Sequence, residues 1–269
     1  MSLDDIKRVL NSLTELPAMP NVVTRALGVI KDPNSGARDL SKTIENDHAI
    51  TAELLKIVNS SYFGLSKNIQ TVGQSITLLG FNEVKSVILS CAMKPMMTTQ
   101  GGKDIWEHAI QTAVAAETIA KKLGRSDYDD CFAQGLMHDL GKIVFELYNR
   151  KQAYEAIRLT RSGADVLMAE KMVFGFDHTE VGYILGNRWK LPKQIVSVMR
   201  HHHKPQFSEF KTSAGIIYVA DRIVKDPLKN PVIEPEVQAR LDFEITNIDG
   251  FRRQVIERAK MLLISLNSL

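Results

Sequence analysis

The chain has 269 residues, 44% apolar and 24% charged, with a formal net charge of +3, which is ordinary globular composition. A chain of this length buries roughly 75% of its unfolded surface, enough for one large domain or two joined lobes. No run of basic residues marks a nucleic-acid track or an anionic membrane patch, and no apolar stretch approaches the ~20 residues that span a bilayer. The start, Met1-Ser2-Leu3-Asp4-Asp5, lacks the basic and apolar segments of a signal peptide. The expectation is a cytoplasmic protein without a nucleic-acid or membrane partner. Cys91 and Cys131 lie far apart in apolar contexts and read as buried thiols.

Helical periodicity runs through the chain. Leu3, Ile6, Leu10 and Leu13 step by three and four, and the segment Leu16-Pro17-Ala18-Met19-Pro20 halts that first helix. Further helices are predicted over about 21–31, ending at the turn 32–36, then 37–45, 49–59 and 71–79, the last closed by Gly80. Asn82 can cap the next, which carries Val84, Val87, Ile88 and Cys91 on one side. Met93, Met96 and Met97 read as core or hinge packing, and Asn59-Ser60-Ser61-Tyr62 as a helix-end structure. The stretch Thr98-Thr99-Gln100-Gly101-Gly102 is the candidate hinge between two lobes.

A long helix is expected over about 103–123, stopped by Gly124 in a left-handed conformation. Asp127 can open another, carried through the apolar run from Phe132 to Phe145. Asp177 with Glu180 resembles a capping box, and Pro192 suits the first turn of a helix reaching His201. Residues 212–224 form an apolar helix interrupted by Asp221 and Arg222; a proline-rich loop over about 226–235 leads to an amphipathic C-terminal helix. Trp106 and Trp189 read as packing residues. No segment alternates with period two, so the predicted class is all-α.

Two carboxylates, Asp139 and Asp221, interrupt apolar helical runs. Burying an ionised carboxylate without a partner costs several kcal/mol, so a base, a hydrogen-bond network or a cation must compensate each. His108, His138, His178, His202 and His203 supply imidazoles along the same half of the chain. Imidazole and carboxylate together suit iron, manganese, nickel or zinc, and a carboxylate that bridges two ions is the usual device of a dinuclear site. Lys142 is either an ion-pair partner of Asp139 or a point charge for a phosphate. A buried ion-pair network without metal is the third reading.

The order His108, His138-Asp139, Asp221 resembles the H…HD…D signature of the HD phosphohydrolase superfamily, and Gly135-Leu136-Met137-His138-Asp139-Leu140-Gly141-Lys142 is close to its usual wording. Leu16 to Pro20, Ile44 to Thr51, Leu54 to Gly64 and Ser75 to Gly80 resemble motifs of the HDOD (HD-related output) domain. The similarity covers roughly residues 10–225. It implies a helical N-terminal lobe (1–102) packed on an HD-type metal-binding bundle (103–225), followed by a C-terminal loop and helix (226–269). HDOD domains are bacterial signalling modules, and many have lost the HD residues; this chain keeps them.

The resemblance further implies one or two divalent transition-metal ions on His108, His138, Asp139, His178, His202, His203 and Asp221. Asp139 and Lys142 would be catalytic in a phosphohydrolase or phosphodiesterase. His178 matches an element of the related HD-GYP phosphodiesterases, and His202-His203 their paired histidines, with His201 more exposed. Asp104 stands where that family can have a glutamate, and His48 replaces a common proline without a functional role. Lys204-Pro205-Gln206 follows in place of the GYP segment, which argues against cyclic di-GMP as substrate. The alternative is a non-catalytic regulatory module, with a structural metal or none, that binds a signalling partner.

Overall fold

The computed structural model describes residues 3–13, 18–31, 37–98, 102–124, 128–225, 231–241 and 247–267. All regular structure among them is helical, as the periodicity predicts. Leu16-Pro17, the turn 32–36, hinge residues 99–101, Asp127 and loop residues 226–230 lie outside the described residues.

The N-terminal lobe is built from α2 (Asn21–Lys31), α3 (Ala37–Glu45), α4 (His48–Val58), α5 (Val72–Leu79) and α6 (Phe81–Met97). Their apolar faces meet in a core that includes Leu40, Ile44, Leu54, Ile57, Ile88, Met93 and Met97. Asp47 caps α4 by accepting from the Ile50 amide, and Thr71 caps α5 through Gln74; His48 is exposed in the first turn of α4. Gly80, at φ +87°, separates α5 from α6 and stands at the N-cap of α6. Asn82 is therefore inside α6 rather than at its cap. Asn59 fixes the loop after α4, bonding Leu55 O and both the amide and the carbonyl of Ile69.

The second lobe holds α7 (Lys103–Lys122), α8 (Tyr128–Met137), α9 (Gly141–Arg161), α10 (Val166–Phe174), α11 (His178–Arg188), α12 (Lys193–His201) and α13 (Lys211–Lys225). Its middle is α8, packed against α7, α12 and α13. Gly135 sets the closest approach: a Cβ there would stand 2.7 Å from the Ala113 Cα of α7, a distance only a hydrogen tolerates. Trp106, Cys91 and Cys131 are buried, both thiols free, and Trp189 packs at the edge of the core. Gly124, at φ +66°, follows the end of α7, and Pro192 is the N-cap of α12, one residue before its first turn.

Helix α1 (Leu3–Ser12) packs on α11 of the second lobe, where Arg188 donates to Asn11 at 3.2 Å. After the short α14 (Pro235–Leu241), α15 (Ile248–Asn267) lies across both lobes, against α4 and α7. There Arg258 meets the buried Glu117 of α7 at 2.6 Å and Glu83 of α6 at 3.1 Å. Ser265 bonds Ser60, and Lys94 donates to the Leu266 carbonyl.

The predicted single helix through the HD dipeptide is corrected here. The chain leaves α8 at Met137, and His138, Asp139 and Leu140 form a tight turn before α9. His138 Nδ1 turns back onto the Gly135 carbonyl at 2.7 Å, an acceptor left free at the helix end. The apolar residues on either side are buried in the same core, which is why the run reads as one helix.

Candidate metal centre

Each donor stands at the end of a helix or faces across a close helix contact. The approach at Gly135 sets His138, just beyond α8, against His108 on α7, their rings 5.3 Å apart. Asp221 on α13 completes this group: its Oδ1 lies 2.9 Å from His108 Nε2 and 3.8 Å from His138 Nε2. On the other side, His178 opens α11 behind the capping box of Asp177 and Glu180, while His202 and His203 follow α12. His178 Nε2 is 3.2 Å from both His202 Nε2 and His203 Nε2.

Asp139 stands between the groups. Its Oδ1 is 3.1 Å from His178 Nε2 and 3.5 Å from His202 Nε2. Its Oδ2 is 3.3 Å from His138 Nε2 and 3.7 Å from His108 Nε2, and Lys142 Nζ contacts that same oxygen. All seven donors singled out in the sequence thus fall into two adjoining clusters: Asp139, His178, His202 and His203 in one, His108, His138 and Asp221 in the other. His201 and the exposed Asp104 belong to neither.

The protons fit a cation. Three of the rings spend their outer nitrogen on an acceptor: His138 Nδ1 on Gly135 O, His202 Nδ1 on Met199 O at 3.1 Å, and His178 Nδ1 on the Glu170 carboxylate at 2.6 Å. In its neutral form a ring held this way carries its lone pair on Nε2; for His178 burial favours that form, but Glu170 and Asp139 outweigh it and raise the imidazole. Burial draws His202 down to about 4 and holds His203 well below the usual imidazole range, with the neighbouring rings adding to it. For His138 burial also opposes charge, but Asp139 and Asp221 outweigh it and push that imidazole up to about 9. Burial likewise opposes charge on Asp139, yet His138, Lys142 and His178 keep it well below the usual carboxylate range. His138 Nε2 and Asp139 Oδ1 are buried without a hydrogen-bond partner.

Donor spacing gives the second test. Four ligands held tetrahedrally at 2.0–2.1 Å from an ion sit about 3.3 Å from one another. Four of the six separations in the Asp139–His178–His202–His203 cluster run from 3.1 to 3.5 Å, and all its donor atoms lie within 4.8 Å of one another. The residues present therefore fit a divalent transition ion.

Glu170, on α10, was not foreseen. It is 5% exposed, and one of its oxygens accepts from both the backbone amide (2.8 Å) and the ring Nδ1 of His178. A glutamate set among the apolar residues of Val-Leu-Met-Ala-Glu-Lys-Met-Val-Phe was the available signal. Gly141, two residues beyond the dipeptide, sets another close approach: a Cβ there would stand 2.0 Å from the His178 carbonyl, so α9 and α11 meet backbone to backbone.

Comparison with known proteins agrees with this architecture. Over 204 residues the chain is 26% identical to an uncharacterized protein of Treponema pallidum, covering 72% of this chain and 39% of that protein. It is 30% identical over 110 residues to ribonuclease Y of Thermus thermophilus, covering 40% of this chain and 14% of that enzyme. The chain thus spans well under half the length of these relatives. Among solved structures, an HDOD domain protein of unknown function from Geobacter sulfurreducens superposes with a TM-score of 0.74 at 22% identity, over 99% of this chain and 93% of that one. A protein of Shewanella amazonensis provisionally named a metal-dependent phosphohydrolase gives 0.62 at 18% identity, over 98% and 97%. These likenesses establish the shared helical fold. The HDOD domain model matches residues 16–205, and the chain belongs to the HDOD family.

Proposed function

We propose that this HDOD protein binds two divalent transition-metal ions, one per donor cluster, and acts on a phosphate ester. The observation that carries the reading is the spacing of Asp139, His178, His202 and His203 at tetrahedral ligand distances, with their lone pairs converging. Iron, manganese, nickel and zinc all suit imidazole with carboxylate. Ions held there would polarise phosphoryl oxygens and lower the pKa of a water toward neutrality.

The protein's own groups have distinct tasks. Asp139 offers one oxygen to each cluster, which fixes their separation. His178, His202 and Asp139 are sealed from solvent, whereas His108 is 20% exposed and Lys142 24%. A phosphate would arrive on the His108 side, where Lys142 can release Asp139 Oδ2 and hold a phosphate oxygen as a point charge. The ribonuclease name of the Thermus relative, an enzyme class that cleaves phosphodiesters, supports this choice of bond.

A second reading has its own support. A cluster with four protein donors, three buried and His203 partly so, comes near the closed form of structural metal sites, which favours a signalling module that uses metal for shape and docks a partner protein. One experiment separates the two. Protein purified without added metal is analysed for transition metals, then assayed against phosphomonoesters, nucleotides and cyclic dinucleotides. Two ions with turnover, reduced in His138→Ala to one ion without turnover, is the expected result. Metal without turnover leaves the module, and absence of metal overturns both.

A further inference from the structure

We infer that Glu170 is a positioning residue of the metal centre, setting the tautomer and aim of His178; this rests on the metal reading above. Burying a carboxylate in an apolar helix costs several kcal/mol unless its hydrogen bonds are supplied. Glu170 finds them on one residue, since its Oε2 takes the His178 amide at 2.8 Å and the ring Nδ1 at 2.6 Å. A ring that donates from Nδ1 has its lone pair on Nε2, and here Nε2 faces Asp139, His202 and His203. The backbone bond pins the Cα end of the residue while the ring bond fixes its rotation.

The helix that presents Glu170 is itself held fast. Phe174, one turn on, stacks on Phe145 of α9 with centroids 4.2 Å apart and planes at 5°. Lys171, beside Glu170, reaches the α11 cap, with Asp177 at 3.1 Å and Glu180 at 3.6 Å. α10 is thereby fixed to α9 on one side and to the start of α11 on the other. The hydrogen bonds of Glu170 go to His178, which belongs to one cluster alone.

The test is Co(II) titration of metal-stripped protein, followed by visible absorption, which reports coordination geometry, and by calorimetry. Wild type, Glu170→Ala and Glu170→Gln are compared, with chelator-treated samples melted in parallel. Removing an outer partner of a metal-bound histidine typically weakens binding by about 10–100-fold. That loss is expected at one of the two sites in Glu170→Ala, with the other unchanged, and glutamine, which keeps an acceptor oxygen, should restore part of it. Unaltered affinities in both variants overturn the role of Glu170. So does an equal loss at both sites with a lowered melting temperature, which marks a merely structural residue. If the alanine variant fails to fold, the glutamine variant decides, by loss at one site or none. Wild-type protein that takes up no cobalt overturns the metal reading itself.

Discussion

The two donor clusters share Asp139 and differ in how they are supported. His178 and His202 are buried at helix ends, one opening α11 behind its Asp177 cap and one closing α12, and have their outer nitrogens on Glu170 and on the Met199 carbonyl. His108 lies in mid-helix on α7, one-fifth exposed, and its further contact is Thr112 Oγ1 at 3.4 Å. Two of the first cluster's three rings are held from behind in this way; in the second only His138 is, through Gly135. The second lies beside the Lys142 ammonium, which already contacts the shared oxygen, so an ion must displace one positive charge to enter. Under the two-ion reading, the first cluster would be the tighter site and the second the more exchangeable one.

Breaking the shared element should have the largest effect. Asp139→Ala removes a ligand from both clusters and leaves Lys142 without its carboxylate. Losing an outer partner alone costs about 10–100-fold, so binding at both sites should fall by more than that, measured by metal analysis after dialysis. His108→Ala sharpens the contrast and should have about half the effect, one ion per chain retained in place of two. Retention of two ions, or loss of both, would show that the clusters are not separable. Asp177→Ala should have the smallest effect. It removes the α11 cap, worth about 1 kcal/mol, and should lower stability in denaturant unfolding by that amount without changing metal stoichiometry.

Much of the fold was legible because apolar residues repeat at three and four with stop signals between. Thr71, Gly80, Gly124 and the Asp177–Glu180 pair punctuate the chain as their chemistry predicts. Asp139 and Asp221 stood out as carboxylates in apolar runs, and the full set of seven donors came from the resemblance to the HD pattern. Two features escaped for related reasons. The turn at His138–Leu140 is buried on both flanks, so hydrophobic pattern carries no trace of the break; what makes it is a hydrogen bond from His138 to Gly135. Glu170 lies eight residues from its partner on a different helix, and nothing in a linear pattern joins the two until α10 folds back along α9.

The contact between Gly141 and the His178 carbonyl has a mechanical consequence. Side chains that separate packed helices yield under load by changing rotamer, and no such cushion exists at this point. Lys142 and His178 therefore ride on two main chains that cannot shift independently, and a displacement of α11 reaches the start of α9 undamped.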